Sequence, residues 1–364
     1  MEGLEDRVEH LRLGVGGGDG RLDLGVHPID DVLREQALDD HRAVVLEAEE
    51  DLLQVGVPVE VLDGRGHAQT VTVGPSAAPG DTRRCRMPIV HANGIDICYE
   101  EAGSAEDPVV LLVNGFTSQL ISWTVGFVDQ LVERGFRVIT FDNRDTGLTT
   151  KQEGKPPTDG PPPYTLKDMA ADGMALLTAL GIDKAHVVGA SMGGMIVQRM
   201  AIDFPDRVAS MTSIMSTTGQ PAATAPQPDA MKALITPPPT EREAYLAHQA
   251  ETWKIFAGTY YDEARFRDRF ARSYDRCFNP AGAAFQMAAI MGAGDRTPEL
   301  ANLRCPTLVI HGRADPLVGV SGGEATAAAI PGAELVLFDE MGHDLPPALL
   351  PEIVDAIAKV AARA

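Results

Sequence analysis

Aromatic residues are absent from a long stretch at the start of this sequence. Residues 1–86 contain no Phe, Tyr, Trp, Lys or Asn, so all 19 aromatic residues lie in the remaining 278. At that density about six aromatics would be expected in the first 86 residues. Because aromatic side chains contribute the largest buried areas to a core, we expect residues 1–86 to be disordered or loosely attached. A second hypothesis is that translation starts at Met87 and that the upstream residues come from a wrongly chosen start codon.

Positive charge and long apolar runs are also scarce. The net charge is −21, with −9 in residues 1–86 and −12 in the remainder, which argues against nucleic acid or an anionic membrane as a partner. No apolar run reaches the ~18–20 residues needed to span a bilayer. The acidic N-terminus lacks the basic-then-apolar pattern of a signal peptide. We therefore expect a cytoplasmic protein.

Cysteine is rare as well, and its spacing excludes two kinds of site. Cys85, Cys98, Cys277 and Cys305 form no C-x-x-C pair and show no ligand spacing with histidine. A disulfide framework and a metal centre are both disfavoured, and the thiols are expected to be buried or incidental. The glycine run at 14–20 matches neither phosphate-loop pattern, so no nucleotide cofactor is predicted.

From Met87 onward, short apolar runs alternate with segments of helical spacing. Strands are predicted at 95–103, 108–116, 137–142, 185–191, 208–216, 306–312 and 333–339. Helices are predicted at 119–134, 164–182 with Thr165 as N-cap and Asp168 three residues on, from Met192, and at 321–330. This alternation predicts an α/β fold with a mostly parallel sheet flanked by helices on both faces.

The alternation breaks between about residues 219 and 294. This segment is amphipathic and helical, and it predicts a helical cap inserted into the sheet domain 87–364. Its aromatic residues suggest a moderately large apolar or aromatic substrate group, although core packing explains them equally well. They include Trp253, Tyr260, Tyr261, Phe266 and Phe270.

Ser191 lies in "VVGASMGGM", between a predicted strand and a predicted helix. The pattern G-x-S-x-G alone is weak in a chain rich in Gly and Ala. The context is stronger, because Ala190, Gly193 and Gly194 are small enough for a sharp strand-to-helix turn. A nucleophilic serine also needs a base, an acid that holds the base, and donors for the oxyanion. In α/β sheets these groups follow the carboxyl ends of strands.

Asp315 is the candidate acid, because it directly follows the predicted strand 306–312. Its alternative role is a turn or N-cap before the next helix. Asp142 also ends a strand but precedes the serine. It is better explained as part of a hydrogen-bonded loop in which Arg144 and Asp145 pair, and this loop fails as a calcium site.

His343 is the candidate base, because it follows the last predicted strand in an exposed, Gly-containing loop. Of the nine histidines, four lie in residues 1–86, and His186 lies at the wrong end of its strand. His311 ends a strand four residues before Asp315 and is expected to pack beside the site. The order Ser191, Asp315, His343 is the triad order of the α/β-hydrolases.

Residues 87–364 resemble the α/β-hydrolase superfamily throughout. The resemblance is carried in order by "LLVNGFTSQLISW", "VITFDNRDTGLTT", "HVVGASMGGMIVQ", "PTLVIHGRADPLV" and "MGHDLPP". Within it, "DNRDTG", "AHVVGASMG" and "TWKIFAGT" are similar to the actinobacterial polyketide methylesterases, typified by aclacinomycin methylesterase. The usual His-Gly of the oxyanion loop is Asn114-Gly115 here. The resemblance implies that the backbone N–H groups of Phe116 and Met192 form the oxyanion hole, with Asn114 bracing the loop.

The leading hypothesis is a cofactor-free serine hydrolase that cleaves a small-molecule carboxylic ester, such as a methyl ester, through an acyl-enzyme. A perhydrolase or haloperoxidase, or a hydrolase of carbon–carbon bonds or enol-lactones, uses the same triad. An alternative of another class is a non-catalytic binder on the same fold. That alternative is disfavoured because all three triad members are present. Metal catalysis has no ligand cluster to support it.

Overall fold

The computed structural model describes residues 87–155, 160–220 and 226–364, together with five short strands in the first 86 residues. The chain divides into two compact units, residues 1–86 and 87–364.

The first unit contains two small sheets. Strands β1, β4 and β5 form one sheet, and β2 pairs antiparallel with β3. Their bounds are β1 Arg12–Leu13, β2 Arg34–Ala37, β3 Val44–Glu47, β4 Val57–Leu62 and β5 Ala68–Val73. The glycine run at 14–20 lies outside the described residues. Both hypotheses about this segment, disorder and a misplaced start, remain predictions.

The second unit is built on an eight-stranded sheet in the order β13-β12-β11-β10-β8-β9-β7-β6. Six neighbouring strands, β13, β12, β11, β10, β8 and β9, run parallel. At one edge, β7 pairs antiparallel with both β9 and β6. The bounds are β6 Ile89–Ala92, β7 Ile95–Ala102, β8 Val109–Val113, β9 Arg137–Phe141, β10 Ala185–Ala190, β11 Val208–Ile214, β12 Thr307–Gly312 and β13 Glu334–Phe338. The predicted α/β-hydrolase fold class is confirmed.

Ten α-helices are described in this unit. They are α1 Phe127–Glu133, α2 Leu166–Ala179, α3 Met192–Asp203, α4 Pro228–Ile235, α5 Arg242–Ala257, α6 Glu263–Arg276, α7 Pro280–Met291, α8 Thr297–Leu300, α9 Val320–Ala329 and α10 Leu350–Ala361. Of these, α2 and α3 pack on one face of the sheet and α1 and α10 on the other. Leu111 and Val113 of β8 pack in a buried cluster with α2 and α3, whereas Val110 and Leu112 pack with α1 and α10. Successive residues of a strand point to opposite faces, so a strand buried on both faces is apolar throughout.

Two sequence predictions about helices had different outcomes. The capping box of α2 is confirmed, because Thr165 Oγ accepts from the Asp168 N–H and the Asp168 carboxylate accepts from the Thr165 N–H. The single helix predicted at 119–134 is wrong. A 3₁₀ turn at Leu120–Ser122 is followed by α1, and the chain between them bends through Gly126 in the left-handed conformation, with φ 85°.

The predicted insertion lies between β11 and β12. Its described residues form the four helices α4 to α7 and no strand. Gly219 and Gly294, close to the expected ends of the insertion, both have positive φ, and a Cβ on Gly219 would lie 2.2 Å from the Gly294 carbonyl oxygen. The two ends therefore meet where only glycine fits. Among the described residues, no helix is long and apolar enough to cross a membrane.

Candidate active site

Ser191 occupies a strained turn between β10 and α3. Its backbone has φ 57° and ψ −120°, a conformation that non-glycine residues rarely adopt. The turn is fixed by hydrogen bonds from both sides. The Ser191 N–H donates to the Ile214 carbonyl at 2.9 Å, and the Ser216 hydroxyl donates to the Ser191 carbonyl at 2.7 Å. The side chain is thereby held at the carboxyl end of the sheet.

The glycines around Ser191 permit close backbone approach. A Cβ on Gly193 would lie 2.0 Å from the Val113 carbonyl oxygen, and one on Gly189 would lie 2.1 Å from the Gly193 carbonyl oxygen. A Cβ on Gly194 would overlap the Ser216 side chain at 2.4 Å. The motif needs glycine at these positions because a side chain would overlap its neighbours. Without side chains there, α3 packs directly against β8 and β10.

Asp315 follows β12, and its two carboxylate oxygens have separate tasks. Oδ1 accepts from the backbone N–H groups of Leu317 and Val318, each at 2.9 Å. Oδ2 lies 2.7 Å from His343 Nδ1. The turn role and the acid role weighed from the sequence are thus compatible, because the turn bonds orient the carboxylate toward the histidine.

His343 connects Asp315 to Ser191. Its Nε2 lies 2.9 Å from Ser191 Oγ. The prediction of an exposed loop is wrong, because residues 341–346 are buried and the His343 side chain is only 5% exposed. A carboxylate only accepts hydrogen bonds, so Nδ1 carries the proton toward Asp315 and Nε2 is free to accept the serine proton. The structure therefore brings the three predicted residues into one hydrogen-bonded row.

The charge state of Asp315 suits this geometry. Burial alone would raise the pKa of its carboxyl group. The electrostatic attraction of the neighbouring His343, together with the interactions of His311 and His343 with the carboxylate, outweighs that effect and holds the pKa of Asp315 at about 2. Asp315 is then ionised at neutral pH and stabilises an imidazolium on His343.

His311 packs beside the site, as the sequence predicts. It is fully buried, and its Nε2 donates to the Val318 carbonyl at 2.8 Å while lying 3.5 Å from Asp315 Oδ2. By contrast, His186 lies at the amino end of β10 and bonds to Ser210.

The two predicted oxyanion donors flank Ser191. Met192 is the first residue of α3, where the backbone N–H has no intrahelical acceptor. Phe116 lies in the loop after β8, next to Gly115, on which a Cβ would lie 3.2 Å from Ser191 Cβ. The loop after β8 therefore lies directly beside the serine.

Asn114 stands where the resemblance predicts a histidine, and its side chain braces this loop. Its amide Nδ2 donates to the Gln119 carbonyl at 3.0 Å, and its own carbonyl accepts from Asn143 at 3.0 Å. Gln119 in turn donates to the carbonyls of Ser273 and Cys277 in the insertion, at 2.7 and 2.8 Å.

The loop after β9 is a buried hydrogen-bonded structure, but its predicted ion pair is wrong. Arg144 pairs with Asp172 of α2 at 2.6 Å, not with Asp145, which accepts from the Tyr164 hydroxyl. The Asp172 carboxylate is nearly fully buried, and Arg144 donates to both of its oxygens at 2.6 Å. Asp142 pairs with Arg276 of α6 at 2.8 Å.

The insertion also contacts the His343 loop. The His343 N–H donates to the Phe256 carbonyl at the end of α5, at 2.7 Å. A Cβ on Gly342 would lie 2.4 Å from the same carbonyl oxygen. Asp344 is buried and forms ion pairs with Arg265 and Arg269 of α6. The segment that carries His343 is therefore bonded to helices α5 and α6 of the insertion.

Several aromatic residues of the insertion pack on one another. The Trp253 ring lies 5.0 Å from Phe266 and 5.7 Å from Phe270, and the Arg269 guanidinium lies 4.2 Å from the Trp253 ring centre. Tyr261 stacks on Phe266 at 5.6 Å. These contacts favour the core-packing explanation for this cluster over a direct role in substrate binding.

Sequence reasoning missed the insertion residues that reach the site. Gln286 of α7 accepts from the Thr117 N–H at 2.8 Å, and Arg276 donates to Gln119 at 2.7 Å. These partners are more than 150 residues apart in the chain, and no local motif marks them. Among the described residues, no group of three or more His, Cys, Asp or Glu side chains is arranged to hold a metal ion.

Comparison with known proteins agrees with this geometry. Rhodomycin D methylesterase DnrP of Streptomyces peucetius is 29% identical over 287 residues, covering 72% of this chain and 94% of that protein. A thermophilic esterase from Thermogutta terrifontis is 26% identical with a TM-score of 0.60, covering 76% of this chain and 98% of that one. The enol-lactonase from Burkholderia xenovorans LB400 is 25% identical with a TM-score of 0.57, covering 76% and 98%.

The sequence model for the alpha/beta hydrolase fold matches residues 108–346, a range that includes Phe116, Ser191, Met192, Asp315 and His343. With the sheet order and the strand-to-helix turn at Ser191, this match shows that the chain belongs to the alpha/beta hydrolase family.

Proposed function

We propose that this protein is a serine hydrolase that cleaves a carboxylic ester through an acyl-enzyme. The observation that carries the proposal is the row Asp315–His343–Ser191, with distances of 2.7 and 2.9 Å, at the carboxyl edge of the sheet. A serine hydroxyl becomes a useful nucleophile when a base is placed to remove its proton.

In the acylation step, Ser191 Oγ attacks the ester carbonyl carbon while His343 Nε2 takes the hydroxyl proton. The carbonyl oxygen becomes an oxyanion and accepts hydrogen bonds from the backbone N–H groups of Phe116 and Met192. The bond to the alcohol then breaks, and His343 returns its proton to the departing alkoxide. Each oxyanion donor is typically worth about 10²–10³ in rate.

In the deacylation step, His343 removes a proton from a water molecule as that water attacks the acyl carbon. A second tetrahedral intermediate collapses, the bond to Ser191 Oγ breaks, and the proton on His343 passes to the serine. The products are a carboxylic acid and an alcohol. Ionised Asp315 stabilises the imidazolium in both steps.

The substrate class follows from the relatives and from the site's surroundings. The similarity to a methylesterase makes a methyl ester the first candidate. The apolar Phe256 ring lies 6.5 Å from the His343 ring, so we propose that the ester carries an apolar or aromatic group. An enol-lactone is a second candidate on the similarity to the enol-lactonase, and as a cyclic ester it reacts by the same steps.

We also propose a cytoplasmic location, on the basis of the thiols. Cys98, Cys277 and Cys305 are free, and burial raises the pKa of Cys98 to about 11, so this thiol is unreactive.

The decisive experiment is labelling of the purified protein with a fluorophosphonate, followed by peptide mapping. We expect stoichiometric modification at Ser191 and its loss in His343→Ala. His91→Ala is the matched control, because His91 also bonds to an aspartate, Asp96, at 2.8 Å but is exposed. Ser191→Ala is expected to lower hydrolysis of p-nitrophenyl acetate by at least about 10³-fold.

Absence of labelling in a folded protein contradicts the proposal and favours the ligand-binding alternative. Labelling without ester hydrolysis in water, but with activity when hydrogen peroxide is supplied as acyl acceptor, favours the perhydrolase alternative.

A further inference from the structure

Gln286, on helix α7 of the insertion, is buried where the insertion meets the loop after β8. Its side chain is 0% exposed, although it extends from a helix outside the sheet domain. The side-chain amide makes three hydrogen bonds. Oε1 accepts from the Thr117 N–H at 2.8 Å, and Nε2 donates to the Arg144 carbonyl at 2.9 Å and to Thr146 Oγ1 at 2.7 Å.

The chemistry of these partners fixes which way the amide points. A backbone N–H only donates, so the group facing Thr117 is the amide oxygen. A backbone carbonyl only accepts, so the group facing Arg144 is the amide nitrogen. Glutamine satisfies both sides at once, whereas a carboxylate would place an acceptor against the Arg144 carbonyl.

Thr117 needs such a partner. Its φ is 56°, and left-handed backbone is unfavourable for a β-branched residue. Thr117 is also solvent-exposed, so packing of its own side chain does not hold the conformation. Strained backbone persists where surrounding contacts over-determine it. The bond to Gln286 supplies such a contact one residue after Phe116.

We infer that Gln286 is a positioning residue that holds the Phe116 N–H in line for the oxyanion formed at Ser191. The inference rests on the proposed function and deepens it, because it assigns to the insertion a part in transition-state stabilisation. An oxyanion donor acts only within about 2.7–3.1 Å of the oxyanion, and a 1 Å displacement can cost about 10²-fold in rate.

The test compares Gln286→Met with Asn279→Ala. Asn279 precedes the same helix and donates to the Asp145 carbonyl in the same loop after β9, at 2.9 Å, whereas Gln286 also bonds to the loop after β8. With p-nitrophenyl acetate, we expect Gln286→Met to lower kcat and kcat/KM together by about 10- to 100-fold. Phenylboronic acid, which forms an anionic adduct on the serine, should bind more weakly by a similar factor. Asn279→Ala should keep the wild-type kcat.

A second variant, Gln286→Glu, covers the case in which Gln286→Met does not fold. The introduced carboxyl group can accept from Thr117 in either form, but it can donate toward Arg144 only when protonated. Its activity relative to wild type is therefore expected to rise as the pH falls from 9 to 6. A merely structural role predicts a pH-independent ratio.

The wild-type measurements separate the two proposals. No ester hydrolysis and no label at Ser191 in the wild type overturns the proposed function and this inference with it. An active wild type with a folded Gln286→Met whose kcat and boronic-acid affinity equal those of Asn279→Ala overturns this inference alone.

Discussion

At the scale of single residues, the turn around Ser191 leaves no room for another side chain. Gly193 faces backbone atoms of β8, which cannot move aside as the end of a flexible side chain can. The close approach also brings the start of α3 beside the loop that carries Phe116. Steric fit and the geometry of the proposed oxyanion hole therefore depend on the same glycine.

Gly193→Ala is expected to lower the free energy of unfolding by about 3 kcal/mol or more and to slow fluorophosphonate labelling, because its Cβ would lie 2.0 Å from the Val113 carbonyl oxygen. Urea unfolding and the labelling rate measure the two effects. Gly319→Ala is the control, since its nearest neighbour would be Ser321 Oγ at 3.5 Å. Equal stability of the two variants would contradict the steric explanation.

Asp315 contributes stability that depends on pH. Its pKa is about 2 in the folded protein, below the ~3.9 of an unfolded aspartate, so the contribution is complete above pH ~4 and is lost as the pH falls toward 2. We expect the difference in unfolding free energy between wild type and Asp315→Asn to shrink by roughly 1 kcal/mol between pH 6 and pH 3.

Urea unfolding at the two pH values measures this difference. Asp339→Asn serves as the control, because Asp339 is 88% exposed and pairs with Arg313 at the surface. A difference for Asp315→Asn that stays constant between pH 6 and pH 3 would show that its carboxylate gains nothing from His343 and His311.

At the scale of secondary-structure elements, the strands were predictable because they are buried on both faces. The run "PVVLLVNGF" contains β8 in full, and Thr307–Gly312 lies within one residue of its prediction. The start of helix α1 was predicted wrongly. The helical spacing of apolar residues gives no sign that Gly126 is left-handed, or that the Thr124 hydroxyl donates to the Leu345 carbonyl. Tertiary contacts decided that boundary.

The contacts of α6 illustrate why the rest of the site could not be predicted. Arg276 bonds to Gln119, 157 residues away in the chain, and pairs with Asp142. The sequence around Arg276 shows only a charged helix end. The positions of the proposed triad were predictable because each of the three residues follows a strand. The residues that hold the surrounding loops come from the insertion, where neither periodicity nor a motif distinguishes them.

Arg276→Met should destabilise the protein by about 3–5 kcal/mol, because it leaves the fully buried Asp142 carboxylate without its cation. Arg276→Lys should lower the free energy of unfolding by less, because lysine keeps the positive charge but cannot bond to both Asp142 and Gln119. Chemical denaturation measures both variants.

Arg272→Met is the matched control on the same helix. Arg272 pairs with Asp268 at 3.7 Å on the surface, where such pairs contribute at most about 1 kcal/mol. If Arg276→Met lowers the free energy of unfolding by no more than Arg272→Met does, the buried pair of Arg276 and Asp142 does not stabilise the packing of α6 against the end of β9.

At the scale of the whole molecule, the insertion contacts both the loop that carries His343 and the loop that carries Phe116. Helix α5 accepts the His343 N–H through Phe256, and α7 holds Thr117 through Gln286. The proposed base and the proposed oxyanion donor therefore both depend on one inserted segment. An insertion that only covered the site would need neither of these contacts.

Residues 87–364 are expected to fold and act without residues 1–86. The sheet runs from Ile89 to Phe338, both buried clusters lie between Ala92 and Ala361, and the family match covers 108–346. A chain that begins at Met87 should therefore hydrolyse p-nitrophenyl acetate with a kcat within about twofold of the full chain, as expected of a domain with its own core. Calorimetry and the esterase assay measure stability and activity side by side.

Full activity of the shorter chain, together with a natural N-terminus at or next to residue 87 by mass spectrometry, would support a start at Met87. Full activity with a natural N-terminus upstream would instead show that residues 1–86 are made and serve a purpose other than catalysis. A shorter chain that fails to fold would contradict the division at Met87. It would assign residues 1–86, despite their lack of aromatic side chains, a part in stabilising the hydrolase.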